Sequence, residues 1–192
     1  MHSQAFSSEL HNQLEGIRSW LNIRAHELGF GQLRISDTDV SEAVPKLASW
    51  LAEGRHGEMG YMERHASLRA QPDQLQAGAI RSICVTMPYL PQNSSKITEE
   101  QFSAELDRLE QPQEAVISLY ARGRDYHKII RQKLKQLADK ISAVQGEFGF
   151  RPFVDSAPIL ERPLAQQAGL GWIGKHTNLL SKKQGSFFFL AE

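Results

Sequence analysis

The sequence predicts an α/β layered domain, and three observations carry that expectation. The chain has 192 residues, 41% of them hydrophobic and 23% charged; this suits one ordinary globular domain, able to bury roughly 70% of its unfolded surface. Short β-rich runs alternate along it with segments whose apolar residues recur at helical spacing. The one cysteine, Cys84, lies inside the apolar run Ile83 to Val85. It permits no intrachain disulfide and is expected to be a small buried hydrophobe.

The elements follow in order. Leu10, Leu14, Ile17, Leu21, Ala25 and Leu28 outline a first helix, with Ser7 or Ser8 as its cap and Gly29 as its stop. Leu33 to Ile35 reads as a short strand that ends at the turn-like Ser36 to Asp39. Val44, Leu47, Trp50 and Leu51 mark a second helix, whose Pro45 is tolerable in the first turn. Gly54, Gly57 and Gly60 interrupt the chain before Tyr61 to His65, and Ile80 to Leu90, bounded by Pro88 and Pro91, reads as a strand. Ala115 to Tyr120 is expected to be the next strand, followed by a helix on Ile129, Ile130, Leu134, Leu137, Ile141 and Val144. Arg151 to Asp155 is expected as a strand and Pro158 to Ala168 as a helix. Thr177 to Leu180 and Ser186 to Leu190 are expected to form a β-hairpin.

Charge is balanced at zero overall, so any pull toward a polyanion must be local. Residues 92–114 carry six acids (Glu99, Glu100, Glu105, Asp107, Glu110, Glu114) against Lys96 and Arg108, the pattern of a solvated, partly helical insertion. Residues 122–140 reverse the sign. Arg122, Arg124, Lys128, Arg131, Lys133, Lys135 and Lys140 stand there against Asp125 and Asp139, a basic face that suits either solvent or nucleic-acid phosphate. The first residues lack the basic-then-apolar pattern of a signal peptide, and no run of 18 apolar residues occurs. The protein is therefore expected in the cytoplasm, without a membrane partner. The seven histidines form no H-E-x-x-H or similar ligand spacing, so no protein-held metal is expected, and no G-x-S-x-G elbow is present.

Gly169 to His176, "GLGWIGKH", satisfies G-x-G-x-x-G and all but the last position of G-x-x-x-x-G-K-[ST]. Both motifs need a strand before the glycines and a helix after them, because the helix N-terminus binds the phosphate. Here the order is inverted, helix first and strand second, and His176 cannot supply the hard oxygen that Mg²⁺ takes from Ser or Thr. Gly169 reads as a helix C-cap, and Gly171 and Gly174 as points of close backbone approach.

Asp155 ends the expected strand, the place where functional groups gather in α/β sheets. Flanking Phe153, Val154 and Pro158 would desolvate its carboxyl and suit it to donate a proton. Asp155 and Ser156 equally suit capping of the helix that follows, with Glu161 in its first turn. These two readings stay open on residue types alone.

Three blocks, "ARGRDYHKIIRQKL", "RPFVDSAPILERPLAQQAGLGWIGKH" and "GSFFFLAE", together with upstream "HGEMGYMERHASLRAQP", closely resemble the epoxyqueuosine reductases. The resemblance covers essentially residues 1–192 as one catalytic domain, and the acidic stretch 92–114 is least constrained by it. It implies a central mixed β-sheet flanked by helices, related to cobalamin-dependent reductive dehalogenases, with cobalamin held at the sheet ends. It implies that electrons from two 4Fe-4S clusters serve an oxidoreductase that converts epoxyqueuosine to queuosine at the wobble position of tRNA. It makes Asp155 the proton donor and places cobalamin contacts at Arg69, Ser118, Asp155, Leu179 and Leu190, with the glycines around Gly171 and Gly174 lining the corrinoid pocket. It also gives the basic face 122–140 a partner in tRNA phosphate.

The family continues past "FFFLAE" into a ferredoxin-like segment with eight cluster-binding cysteines, whereas this chain stops at Glu192. Cys84 alone cannot hold a cluster. The chain is thus expected to be a fragment or a truncated reading frame, monomeric, carrying the cobalamin and acid half of the site, with the electron donor unspecified. A non-catalytic remnant that keeps corrinoid or tRNA binding is the alternative, and a flavin reductase on a similar sheet is weaker. From the glycine context, titration of the protein with ATP or NADH should show no binding in the micromolar range. Micromolar affinity that Lys175→Ala abolishes would reverse this reading.

Overall fold

In the computed structural model, the structure describes residues 2–90 and 97–192, with side chains from residue 12 onward. Helix α1 spans His2–Glu27, so it starts well before the expected Ser7 or Ser8 cap. The side chain of Leu10 lies outside the described set, as do Pro91 and residues 92–96 of the acidic stretch. The helix ends as anticipated at Gly29, whose φ of +83° is the left-handed conformation a C-terminal glycine supplies.

Strand β1 (Gln32–Ser36) pairs antiparallel with β2 (Ser82–Pro88), setting Leu33 opposite Val85. On its other edge β2 pairs antiparallel with β5 (Phe188–Ala191), with Val85 opposite Ala191. Helices flank this three-stranded sheet, and every pairing among the described strands is antiparallel. Side-chain alternation along β2 builds a core on each face. Leu21 and Ala25 of α1 meet Val85, Ala191 and Val154 on one side, joined by Ile130, Leu134 and Leu137 of α6 (Tyr126–Gln145). On the other side Cys84 and Phe188 meet Leu164 and Ala165 of α7 (Glu161–Gln167), along with Val40 and Leu75. Leu164 and Ile130 are fully buried, and each contributes about 1.5–3 kcal/mol by leaving water.

Between β1 and β2 lie α2 (Val44–Ala52), with Pro45 in its first turn, and the short α3 (Gly60–Arg64) and α4 (Ala66–Ala70). The acidic stretch contains α5 (Glu99–Leu109), started by a reciprocal capping box between Thr98 and Gln101. It is pinned to the chain before α6 by a bidentate pair, Arg122 to Glu105, at 2.8 and 2.5 Å.

Three expected strands differ. Ala115–Tyr120 is exposed and ends in a 3-10 turn over Leu119–Ala121. The Arg122 side chain donates to the Ile117 carbonyl at 2.8 Å, and among the described strands none pairs with the segment, so its β-branched residues are left without a ladder. Arg151–Asp155 is extended, but its pairing is reduced to Phe153, which exchanges N–H and carbonyl with Glu192 at 2.8 and 3.2 Å. Pro152 has no N–H to add. The expected terminal hairpin forms only its turn. Ser181 bridges Gly185, after which the arms part. β4 (Leu179–Leu180) pairs with β3 (Trp172–Ile173), while β5 joins the main sheet.

Gln184 ties that turn to the sheet by accepting from the buried Thr86 hydroxyl at 2.8 Å and from Gln32 at 3.0 Å. At Gly171 a Cβ would sit 1.9 Å from the Leu180 carbonyl oxygen, whereas at Gly16 in α1 it would meet nothing within 4 Å. Gly171→Ala should therefore lower stability by about 1–3 kcal/mol through overpacking, and Gly16→Ala should raise it by roughly 0.5–1 kcal/mol. Thermal denaturation of the two variants beside the native chain checks both signs.

Candidate active site

The extended segment that delivers Asp155 is anchored on both sides of the sheet, Phe153 in one core and Val154 in the other. Immediately afterwards the chain turns. The Ser156 N–H donates to the Val154 carbonyl at 2.6 Å, closing a three-residue turn on Asp155, whose φ is +53°. A positive φ at the centre of so tight a turn is the rarer and more strained hand. Helix α7 takes Leu160 as its N-cap with no side-chain cap bond, so Asp155 is not its cap. The apolar neighbours also leave the carboxyl in contact with solvent, since Phe153 and Val154 point into the cores and the Asp155 side chain is 45% exposed. The expected desolvation by those neighbours is corrected accordingly.

The first turn of α6 approaches this carboxylate. Asp125 caps the helix, accepting from the His127 backbone N–H at 3.0 Å. The cap places two successive side chains over the turn. The Tyr126 hydroxyl donates to Asp155 Oδ2. His127 Nε2 lies 3.4 Å from the same oxygen, while its Nδ1 lies 3.2 Å from Asp125 Oδ1. Burial and the hydrogen bond to a carboxylate both push the Tyr126 hydroxyl above its ordinary ionisation range.

Beneath Asp155 lies Glu161, the first residue of α7. Its Oε1 is buried without a hydrogen-bond partner. Burial first, and the nearby Asp155 charge second, push its carboxyl up to about 7, partly offset by the Asp155 backbone N–H and by Arg162 and Arg69. Glu192, buried with both carboxylate oxygens unpartnered, is displaced in the same direction by burial and by Glu161.

The expected site residues divide into two groups. Arg69 and Asp155 both act electrostatically on Glu161 and so belong to one neighbourhood. Arg69 is only 7% exposed, on α4. Of its five N–H donors, one makes a described hydrogen bond, 3.5 Å to the Tyr61 carbonyl. Burial lowers its pKa. Leu179 and Leu190 pack with the second core, so they present backbone more than side chain. Ser118 is exposed and precedes the turn whose Tyr120 meets Tyr126 edge-on at 6.3 Å.

Gly171 and Gly174 make close approaches within the chain itself, against Leu180 and His176. The larger described cavity, about 570 Å³ between α6 and Phe148 to Phe153, contains none of the expected site residues. Among the described residues no group of three His, Cys, Asp or Glu side chains is spaced to hold a metal, and no helix is long and apolar enough to cross a membrane.

Sequence reading missed Tyr126, His127 and the buried character of Glu161. The available signal was position. Polar and aromatic residues directly behind a capping aspartate lie at a helix N-terminus, where the apolar periodicity of α6 does not account for them.

A family model described as epoxyqueuosine reductase QueG, DUF1730, matches residues 69–156, a span that runs from Arg69 past Asp155. Curated proteins named epoxyqueuosine reductase are 50% identical in Burkholderia pseudomallei, over 94% of this chain and 46% of their own length. The Escherichia coli protein of that name is 50% identical over 94% of this chain and 45% of its own length. The chain thus spans a little under half the length of the curated relatives it matches. The solved epoxyqueuosine reductase of Streptococcus thermophilus superposes with a TM-score of 0.71 at 25% identity, over 91% of this chain and 44% of that one. A crystal structure of epoxyqueuosine reductase with an epoxyqueuosine-modified tRNA-Tyr stem loop superposes with a TM-score of 0.68 at 19% identity, over 92% of this chain and 44% of that one.

A raised acid destabilises the fold once it ionises. The unfolded Glu161 releases its proton near the ordinary 4.5 and the folded one near 7. Stability should therefore fall as pH rises from about 5 to about 7, by on the order of 1–3 kcal/mol. Glu161→Gln should flatten this fall, measured as the change in Tm between pH 5 and pH 7.5 relative to the native protein.

Proposed function

We propose that this chain, a relative of the epoxyqueuosine reductases over nearly its whole length, forms the N-terminal catalytic part of such an enzyme. In this reading it is an oxidoreductase that acts in the cytoplasm, as a monomer, on tRNA carrying epoxyqueuosine, and it yields queuosine at the wobble position. The observation that carries the reading is the solvent-facing Asp155 carboxylate, fixed by Tyr126 and seated over a second acid, within the span the family model matches.

Removal of an epoxide oxygen as water consumes two electrons and two protons and leaves a carbon–carbon double bond. Asp155 serves as proton donor to the departing oxygen, a role its exposure and its fixed position both support. Burial holds Glu161 toward its protonated form, and the charge left on Asp155 once its proton has gone adds to this, so a second proton stays close to the site.

Cobalamin, when bound, would supply the electrons. Arg69, with four of its five donors unengaged among the described residues, fits a group with amide and phosphate oxygens at its rim. Ser118, Asp155 and the backbone of Leu179 and Leu190 would complete the contacts. The residues of this chain supply no ligand set for the 4Fe-4S clusters that serve the family. Cys84 is its one cysteine, and burial pushes the Cys84 thiol up to about 12, far from the thiolate a cluster needs. The second reading is a chain that retains corrinoid or tRNA binding without turnover.

Asp155→Asn in the holoenzyme tests the first reading. Epoxide reduction should fall about 10²–10⁴-fold, while corrinoid binding, followed by the absorption spectrum, should persist. Near-native turnover would overturn the assignment of Asp155 as donor.

A further inference from the structure

We infer that Tyr126 and His127 are positioning residues that fix which oxygen of Asp155 carries the transferable proton. Both face Oδ2, the hydroxyl by hydrogen bond and the imidazole Nε2 at 3.4 Å, whereas among the described residues no hydrogen bond reaches Oδ1. An oxygen already accepting from a hydroxyl is the poorer place for an acid proton, because that proton would confront the donor. The proton of a neutral Asp155 therefore sits on Oδ1, the oxygen left open to a substrate. The inference rests on Asp155 being the proton donor and adds how it is aimed.

The surroundings are built to hold this arrangement. The Tyr126 ring lies flat against Phe189 of β5, with centroids 4.0 Å apart and planes at 13°, and stacks on its other neighbour, His127, at 4.1 Å. Tyr120 closes the edge at 6.3 Å. A ring gripped by stacking on the central sheet cannot swing its hydroxyl away, so it supplies a fixed donor. Asp125 plays the same part for His127, holding both the backbone N–H and Nδ1 so that Nε2 points at Asp155.

What these two residues oppose is the turn itself. A non-glycine residue at φ +53° is strained relative to right-handed or extended backbone, and persists only where neighbours over-determine it. The other ionisable groups about the cluster are Glu161 and Glu192, both acids displaced toward their protonated forms, Tyr120, Asp125, and the cations Arg69 and Arg162. Among the described residues only Tyr126 makes a hydrogen bond to Oδ2.

Two measurements test this. In protein labelled with ¹³Cζ-tyrosine, the Tyr126 resonance, identified by its loss in Tyr126→Phe, should report ionisation at lower pH in Asp155→Asn than in the native chain. A carboxylate acceptor holds the phenol proton more strongly than an amide does. In the holoenzyme, Tyr126→Phe keeps the stacking ring and removes only the donor. Its kcat on epoxyqueuosine tRNA should drop about ten- to a hundredfold, the cost of a misaimed group, with KM changed less than about twofold. His127→Gln, which retains a donor, should lose less than His127→Ala. An unchanged Tyr126 ionisation in Asp155→Asn would overturn the inference, and so would native kcat in Tyr126→Phe beside an inactive Asp155→Asn. Native turnover by Asp155→Asn itself would instead remove the donor role on which the inference stands.

Discussion

Strand β2 carries the structure. Among the described strands it alone is paired along both edges, to β1 on one side and β5 on the other. Its side chains feed both cores, Val85 beneath α1 and α6, Cys84 beneath α7. The geometry of the candidate site hangs from this strand through β5. Phe189, opposite Met87, is the platform on which Tyr126 lies. Glu192, the next residue in line after Ala191, clasps Phe153 two residues before Asp155. One strand thereby sets both the height of the tyrosine and the level at which the Asp155 turn begins.

Much of the architecture was legible in the sequence because period and punctuation agreed. The apolar spacing of Ile130, Leu134 and Leu137 gave α6, and Gly29 ended α1 where a left-handed residue was needed. Val116 and Ile117 show the limit of such reading. Their β-branched side chains suit a strand, but a strand needs an edge, and edge availability is a property of the assembled sheet. Asp155 was legible as a special position, though its apolar neighbours suggested burial and the turn gave exposure. Tyr126 was not legible. Its role comes from a stacking partner 63 positions away in the chain, Phe189, and no local pattern records that pairing.

Glu161 illustrates how an unfavourable group can be retained at a site. A carboxyl with a buried, unpartnered oxygen costs stability when it is charged. In exchange, burial and the neighbouring Asp155 charge let Glu161 keep its proton above the usual carboxylate range. A hydrophobic residue at 161 would remove the unpartnered oxygen but would hold no proton.

The basic surface of α6 also reads differently once its partners are known. Arg122 is committed to Glu105, Lys128 reaches Asp125, Lys140 reaches Glu27, and Lys133 donates to the Leu28 carbonyl at the end of α1 at 2.6 Å. These cations neutralise the protein's own carboxylates and a helix terminus. Arg124, Arg131 and Lys135 take no partner among the described residues. A polyanion landing on residues 122–140 would meet about three cations without a described partner, where the sequence alone shows seven. Few counterions would be released, and binding there would weaken only gently as salt is added. Selectivity would then have to come from the shape of the surface.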